Sequence, residues 1–118
     1  RGEHPMPARR AQQQRHSARV VWRRGTGARQ LVRLVQRAAD ASLMAGMWEL
    51  PVYEPKSAEA PEFTVRHAIT VTNHVVDVYL RSGGGRGVEG EWVPARELSE
   101  RPLTGLARKI LRRLGCLP

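Results

Sequence analysis

"VRHAITVTNHVV", residues 65–76, decides how this chain folds. From Phe63 to Val71 the odd positions are Phe, Val, His, Ile and Val, one apolar strand face with a single polar member. After Asn73 the apolar set moves to the even positions Val76, Val78 and Leu80, with Val75 and Tyr79 opposite. Successive residues of a strand point to opposite faces, so a strand cannot exchange its buried face without a turn, kink or bulge. The sequence therefore predicts a bend near 70–74, where His67, Thr70, Thr72, Asn73 and His74 gather small hydrogen-bonding groups.

Upstream, "ARVVWRR" (18–24) and "RQLVRLVQR" (29–37) are β-rich runs around the Gly-containing turn "GTGA", which reads as a hairpin. In the second run Val32 and Leu34 form an apolar face, while Leu31 and Val35 alternate with Arg33 and Arg37 on a mixed one. A short strand is expected around Met47–Leu50, stopped by Pro51, and residues 52–62, with two prolines, read as a loop. "SGGGRG" (82–87) is a flexible loop, and "EGEWVPA" is a last short strand with Trp92 as a core or rim anchor. Leu103, Leu106, Ala107, Ile110, Leu111 and Leu114 fall on one helix face, with Thr104 as N-cap and Gly115 as the stop. The sum is an α+β domain: five or six mostly antiparallel strands in a mixed sheet, with a C-terminal helix.

The 118 residues suffice for one domain and one core. No apolar run approaches a membrane-spanning length, and the start carries no signal-peptide core; the single cysteine fits a reducing cytosol, and a cytoplasmic location is expected. Residues 1–16 read as an interdomain linker and 17–118 as the domain, and a chain opening on Arg reads as a piece of something longer. The net charge of +9 is uneven: residues 1–37 carry +9, residues 38–107 carry −4 and residues 108–118 carry +4. Clustered Arg suits a polyanion such as DNA, whose phosphates reward it by counterion release. Eighteen of the twenty basic residues are Arg, which GC-rich coding alone would also produce, and the basic last turns of the helix suit its dipole.

Enzyme signatures fail in turn. Cys116 is the single cysteine, which excludes a disulfide or a cysteine-based metal site within the chain. His67 and His74 are seven apart and would face opposite ways in an unbroken strand, so no metal is expected. There is no nucleophile elbow and no phosphate-cradling Gly loop. "RELSER" (96–101) nearly matches the R-E-x-x-E-E core of Nudix pyrophosphohydrolases. Arg101 stands where a Mg²⁺-binding Glu is required, and Pro102 ends the helix, so the segment reads as a short capped surface helix with incidental charge pairs.

Four collinear segments carry a more specific resemblance. "LMAGMWELP" (43–51) is similar to the G-x-W-E-[FL]-P strand in the C-terminal domain of MutY-family adenine DNA glycosylases. "RHAIT" (66–70) resembles that domain's basic-or-polar residue, His, apolar residue, then Phe-Ser-His. "EWVPARELSERPLTGLARKIL" (91–111) resembles its closing pattern, and "RGEHPMPARRAQQQR" resembles the segment that follows the family's iron–sulfur cysteines.

The resemblance implies a Nudix-like (MutT-like) fold that recognises 8-oxoguanine opposite adenine in double-stranded DNA. The adenine-excising catalytic domain and its iron–sulfur cluster would lie in an N-terminal part of the parent, leaving this chain without catalytic residues or cofactor and with that domain as a partner. Only about a dozen residues separate "WELP" from "VRHAIT", so the Nudix helix is expected to be shortened or absent and one sheet side less covered. The Phe-Ser-His triplet falls on Ile69, Thr70 and Val71: Ile69 keeps an apolar wedge, Thr70 keeps the hydroxyl, and Val71 loses the imidazole, for which Thr72, Asn73 or His74 would substitute. Arg66 would either reach phosphate or simply be solvated, and Asn73 completes the expected lesion-binding set. The alternatives are a divergent Nudix hydrolase and a basic protein-interaction module.

Overall fold

A computed structural model describes residues 13–56, 58–83, 87 and 89–118. Among the described residues six strands form one mixed sheet: β1 (Gln13–Arg24), β2 (Leu31–Gln36), β3 (Trp48–Glu49), β4 (Phe63–Ile69), β5 (Thr72–Ser82) and β6 (Glu91–Pro94). The order is β3-β2-β1-β5-β4, with β6 paired to β2. β1 and β5 run parallel, and every other strand pairing is antiparallel. The β1–β2 hairpin forms as expected, its Gly-containing link closing through a 3-10 turn at Gly27–Arg29.

β1 begins at Gln13, inside the stretch expected as linker, and its first four residues pair with Thr72–Val75. Residues 1–12 of that stretch, and 84–86 of the glycine loop, lie outside the described residues.

One sheet face builds the main core. Val21, Val32, Leu34, Val65, Val76, Val78 and Val93 are buried against Leu98, Leu103, Leu106, Ile110 and Leu111. Most of the latter come from α1 (Gly105–Arg113), whose apolar stripe is the one read from its spacing. The Thr104 hydroxyl accepts from Ala107 N at 3.1 Å, and Gly115 leaves the helix at φ 80°, so both end signals operate. The segment Ala95–Glu100 is helical as expected, but as a 3-10 helix whose N-cap, Pro94, offers no side-chain cap; buried Leu98 ties it to the core. Its charge pairs are Arg101 with Glu91 at 3.5 Å and with Glu97 at 3.8 Å.

At Gly90 the chain comes directly against β2. Its φ is +105°, and a Cβ there would sit 2.1 Å from the Leu34 carbonyl oxygen, so no other residue fits without moving backbone.

The opposite face has a smaller cluster, Ala18, Val20 and Tyr79 with Trp22 and Tyr53 against them. The described residues between β3 and β4 form no helical turn, and no described helix packs on this face. Part of the 50–62 loop lies over it instead. Tyr53 meets Tyr79 with ring centroids 4.8 Å apart, and Arg81 pairs with Glu59 and donates to Tyr53 Oη at 2.6 Å.

Candidate nucleic-acid interface

The phase change near residue 70 is a hairpin. β4 and β5 pair from Phe63↔Val78 to Ile69↔Thr72, leaving Thr70 and Val71 as a two-residue tip. Thr70 has φ 51°, in the left-handed region that favours Gly or Asn, which costs a β-branched residue about 1–2 kcal/mol. Its hydroxyl donates to the Ile69 carbonyl at 2.6 Å. The single hydroxyl proton is thereby engaged, and the oxygen faces solvent as an acceptor.

The sequence-derived residues divide by position. Thr70 is exposed, and Val71, 57% exposed, is the large apolar group presented at the tip. Ile69 is half-buried on the face that carries α1. Arg66 and Asn73 lie on the opposite face, where Gln14, Ala68, Asn73 and Arg66 border a cleft of about 410 Å³ floored by Val75. The structure thus brings Arg66 and Asn73 into one cleft beside the tip. Gln14, level with Asn73 across the parallel pairing, joins them.

The two histidines are cross-strand partners, His67↔His74, because the turn reverses the parity they would have in a continuous strand. His67 packs on the first turn of α1, where a Cβ at Gly105 would lie 3.2 Å from its ring. Burial holds its pKa below the ordinary 6.5; Lys109 adds to this, Glu49 opposes it, and His74 lowers it further. Lys109 also donates to the Arg66 carbonyl at 2.6 Å, and Arg113 lies 4.3 Å over the Phe63 ring, so α1 clasps the edge strand. Lys109 had no sequence signal separating it from the other basic helix residues.

On the open face Asp77 is bound by Thr64 Oγ1 at 2.7 Å and by His16 Nε2 at 3.0 Å, and the Thr64 bond leads in holding its carboxyl below the usual range. Among the described residues no group of three or more His, Cys, Asp or Glu is placed to hold a metal ion, and no helix is long and apolar enough to cross a membrane.

This is a Nudix-like α+β domain, its sheet flanked by a C-terminal helix, with an exposed two-residue hairpin tip of Thr70 and Val71. No family model matches the chain, and no curated protein sequence matches it. Solved structures supply the fold relationship. The C-terminal domain of mouse MUTYH, crystallised in complex with human PCNA, matches at 23% identity and TM-score 0.59, over 85% of this chain and 86% of that one. A MutT NUDIX hydrolase from Burkholderia pseudomallei matches at 17% identity and TM-score 0.56, over 85% and 98%. Shewanella oneidensis NrtR complexed with a 27mer DNA matches at 15% identity and TM-score 0.60, over 82% of this chain and 58% of that one.

Proposed function

We propose that the chain is a DNA lesion-recognition domain of the adenine-glycosylase type, reading 8-oxoguanine opposite adenine through its β4–β5 hairpin. The observation that carries this is the Thr70 hydroxyl: exposed at the tip, its proton spent on the Ile69 carbonyl, its lone pairs free to accept. Guanine N7 is an acceptor and would meet those lone pairs with repulsion. 8-Oxoguanine carries N7–H and would donate to them. Such a contact is worth about 1–3 kcal/mol of discrimination, the range of good base contacts.

Val71 at the tip supplies an apolar surface for wedging beside the base, with Ile69 supporting from the inner face. Arg66 and Asn73, with Gln14, offer donors to backbone and base edge in the adjoining cleft. The collinear sequence resemblance, the likeness to the mouse MUTYH domain and the occurrence of this fold in a protein bound to DNA all favour the reading. Adenine excision would reside in a separate domain of the parent, whose iron–sulfur cluster would lie there too, and location would be cytoplasmic with the nucleoid.

A nucleotide hydrolase is the alternative that the fold leaves open. It would need a carboxylate set on Mg²⁺, and in "RELSER" Glu97 is 3.8 Å from Arg101, the residue standing at the third acidic position.

The test is binding of this chain to labelled duplexes differing only in 8-oxoguanine or guanine opposite adenine, across a salt series. Preference for the lesion duplex is expected, with loss of that preference in Thr70→Val. Equal affinity for the two duplexes removes the lesion reading, and an affinity flat in salt removes DNA contact altogether.

A further inference from the structure

Strand register places four side chains level across the open face. Trp92 on β6 pairs with Arg33 on β2, and Trp22 on β1 pairs with Arg81 on β5. Trp22 and Arg33 each lie one position past the last β1–β2 pair, Arg23↔Val32, where the two strands begin to part. The row therefore reads Trp92–Arg33–Trp22–Arg81, aromatic and cation alternating, with each paired aromatic and cation at the strand spacing of about 4.8 Å. None of these four is fully buried.

The Arg residues are already arranged against the rings. Arg33 and Arg24 lie 5.3 and 5.5 Å from the Trp92 centroid, and Arg81 lies 5.2 Å from that of Tyr53. Beside Trp22 a cleft of about 360 Å³ opens between Val20, Val35, Val52 and Tyr53. Val52 is 68% exposed at its rim. Glu89 also borders the cleft, its carbonyl accepting from Arg33 Nε at 3.3 Å. The surrounding hairpin is strongly positive: residues 17–37 hold six Arg and no acid.

We propose that this face binds single-stranded DNA, with unpaired bases stacked on Trp92, Trp22 and Tyr53 and phosphates held by Arg24 and Arg33. Aromatic side chains interleaved with Arg on an open sheet suit unpaired bases, whose π-faces need no particular sequence. A duplex keeps its bases stacked inside and would meet only the Arg residues. Apart from Glu89 the cleft lining is apolar or, at Tyr53 Oη, already bonded to Glu59 and Arg81, so a ribose 2′-hydroxyl meets few partners there, which favours DNA over RNA. The surface is distinct from the hairpin tip and does not depend on lesion reading there.

The experiment is titration of this chain with a labelled octamer of deoxyuridylate, the matching ribo-octamer and a duplex of equal length, followed by anisotropy and Trp quenching. Saturable binding of the deoxy-octamer with quenching is expected, weaker for the ribo-octamer and the duplex. Trp92→Ala and Arg33→Met should each weaken it at least about fivefold. The salt slope should fall by about 0.7 for the lost Arg charge. Both variants are first checked for a native unfolding transition, and Arg33→Met keeps most of the packing stem if Trp92→Ala does not fold. Thr70→Val should leave this binding unchanged, which separates its failure from that of lesion reading. No saturable binding, wild-type affinity in a folded variant, or tighter binding of the ribo-octamer or duplex overturns the proposal.

Discussion

The Thr104 hydroxyl donates to Glu49 Oε2 at 2.7 Å while accepting from Ala107 N at 3.1 Å, joining "WELP" to the start of α1 across 55 residues. Glu49 is 4% exposed, and its other oxygen accepts from Leu50 N at 2.9 Å. The Glu of that strand motif therefore anchors the C-terminal helix. Thr104→Ala removes an N-cap, about 1 kcal/mol, and leaves a buried carboxylate short of a partner, about 1–3 kcal/mol more. We expect a loss above about 2 kcal/mol in urea unfolding, with Thr104→Ser recovering most of it. A loss below 0.5 kcal/mol would mean the carboxylate is satisfied by other means.

On the proposed reading, the hairpin tip sets stability against lesion recognition. Thr70 holds a left-handed φ that glycine adopts freely. Thr70→Gly relieves about 1–2 kcal/mol of strain against an entropic cost of about 0.5–1 kcal/mol, so the variant should be equally or slightly more stable. It should nevertheless lose preference for the 8-oxoguanine duplex, because the acceptor hydroxyl is gone. Preference retained in Thr70→Gly would assign recognition to backbone or to Val71.

His67 makes stability depend on pH in a defined direction. The unfolded chain takes up a proton near the ordinary 6.5, whereas the folded chain does so only at lower pH. Between those values the unfolded state holds more protons, so stability declines as pH falls from about 6.5 and levels off below the folded-state value. Urea midpoints measured from pH 7.5 to 5 should drop more steeply for the wild type than for His67→Gln. Parallel profiles would show that His67 is not the group responsible.

The sequence made the hairpin bend, the helix with both ends and the loop in place of a Nudix helix readable, because each leaves a local mark. Apolar parity switches at Asn73, Thr104 and Gly115 bracket a single stripe, and the space before Phe63 is short and proline-rich. The start of β1 left no such mark. Gln14 and His16 lie on the open face, and Arg15 and Ser17 are exposed on the other, so strand pairing there imprints no hydrophobic period. The His67↔His74 pairing was hidden for a related reason: parity counted along an unbroken strand gives the wrong face once two residues are spent on a turn. The Trp92–Arg33–Trp22–Arg81 row is not contiguous in sequence and exists only through register among four strands.

The hairpin that carries Thr70 depends on an edge strand, and edge strands are kept in place by what caps them. β4 has β5 on one side only, and on the other Lys109 Nζ donates to the Arg66 carbonyl at 2.6 Å. Lys109 is the α1 residue that reaches this backbone, and Arg66 borders the cleft beside the tip. Lys109→Met keeps the aliphatic stem and helix propensity but deletes the donor. We expect backbone amides of residues 66–69 and 72–75 to exchange faster with solvent, while those of β1 and β2 stay protected. Duplex affinity should fall while the 8-oxoguanine to guanine ratio is kept, because the tip chemistry is intact and only its positioning is loosened. Unchanged exchange in β4 would show that the β4–β5 ladder holds the hairpin unaided. A changed selectivity ratio would place Lys109 in the recognition chemistry itself.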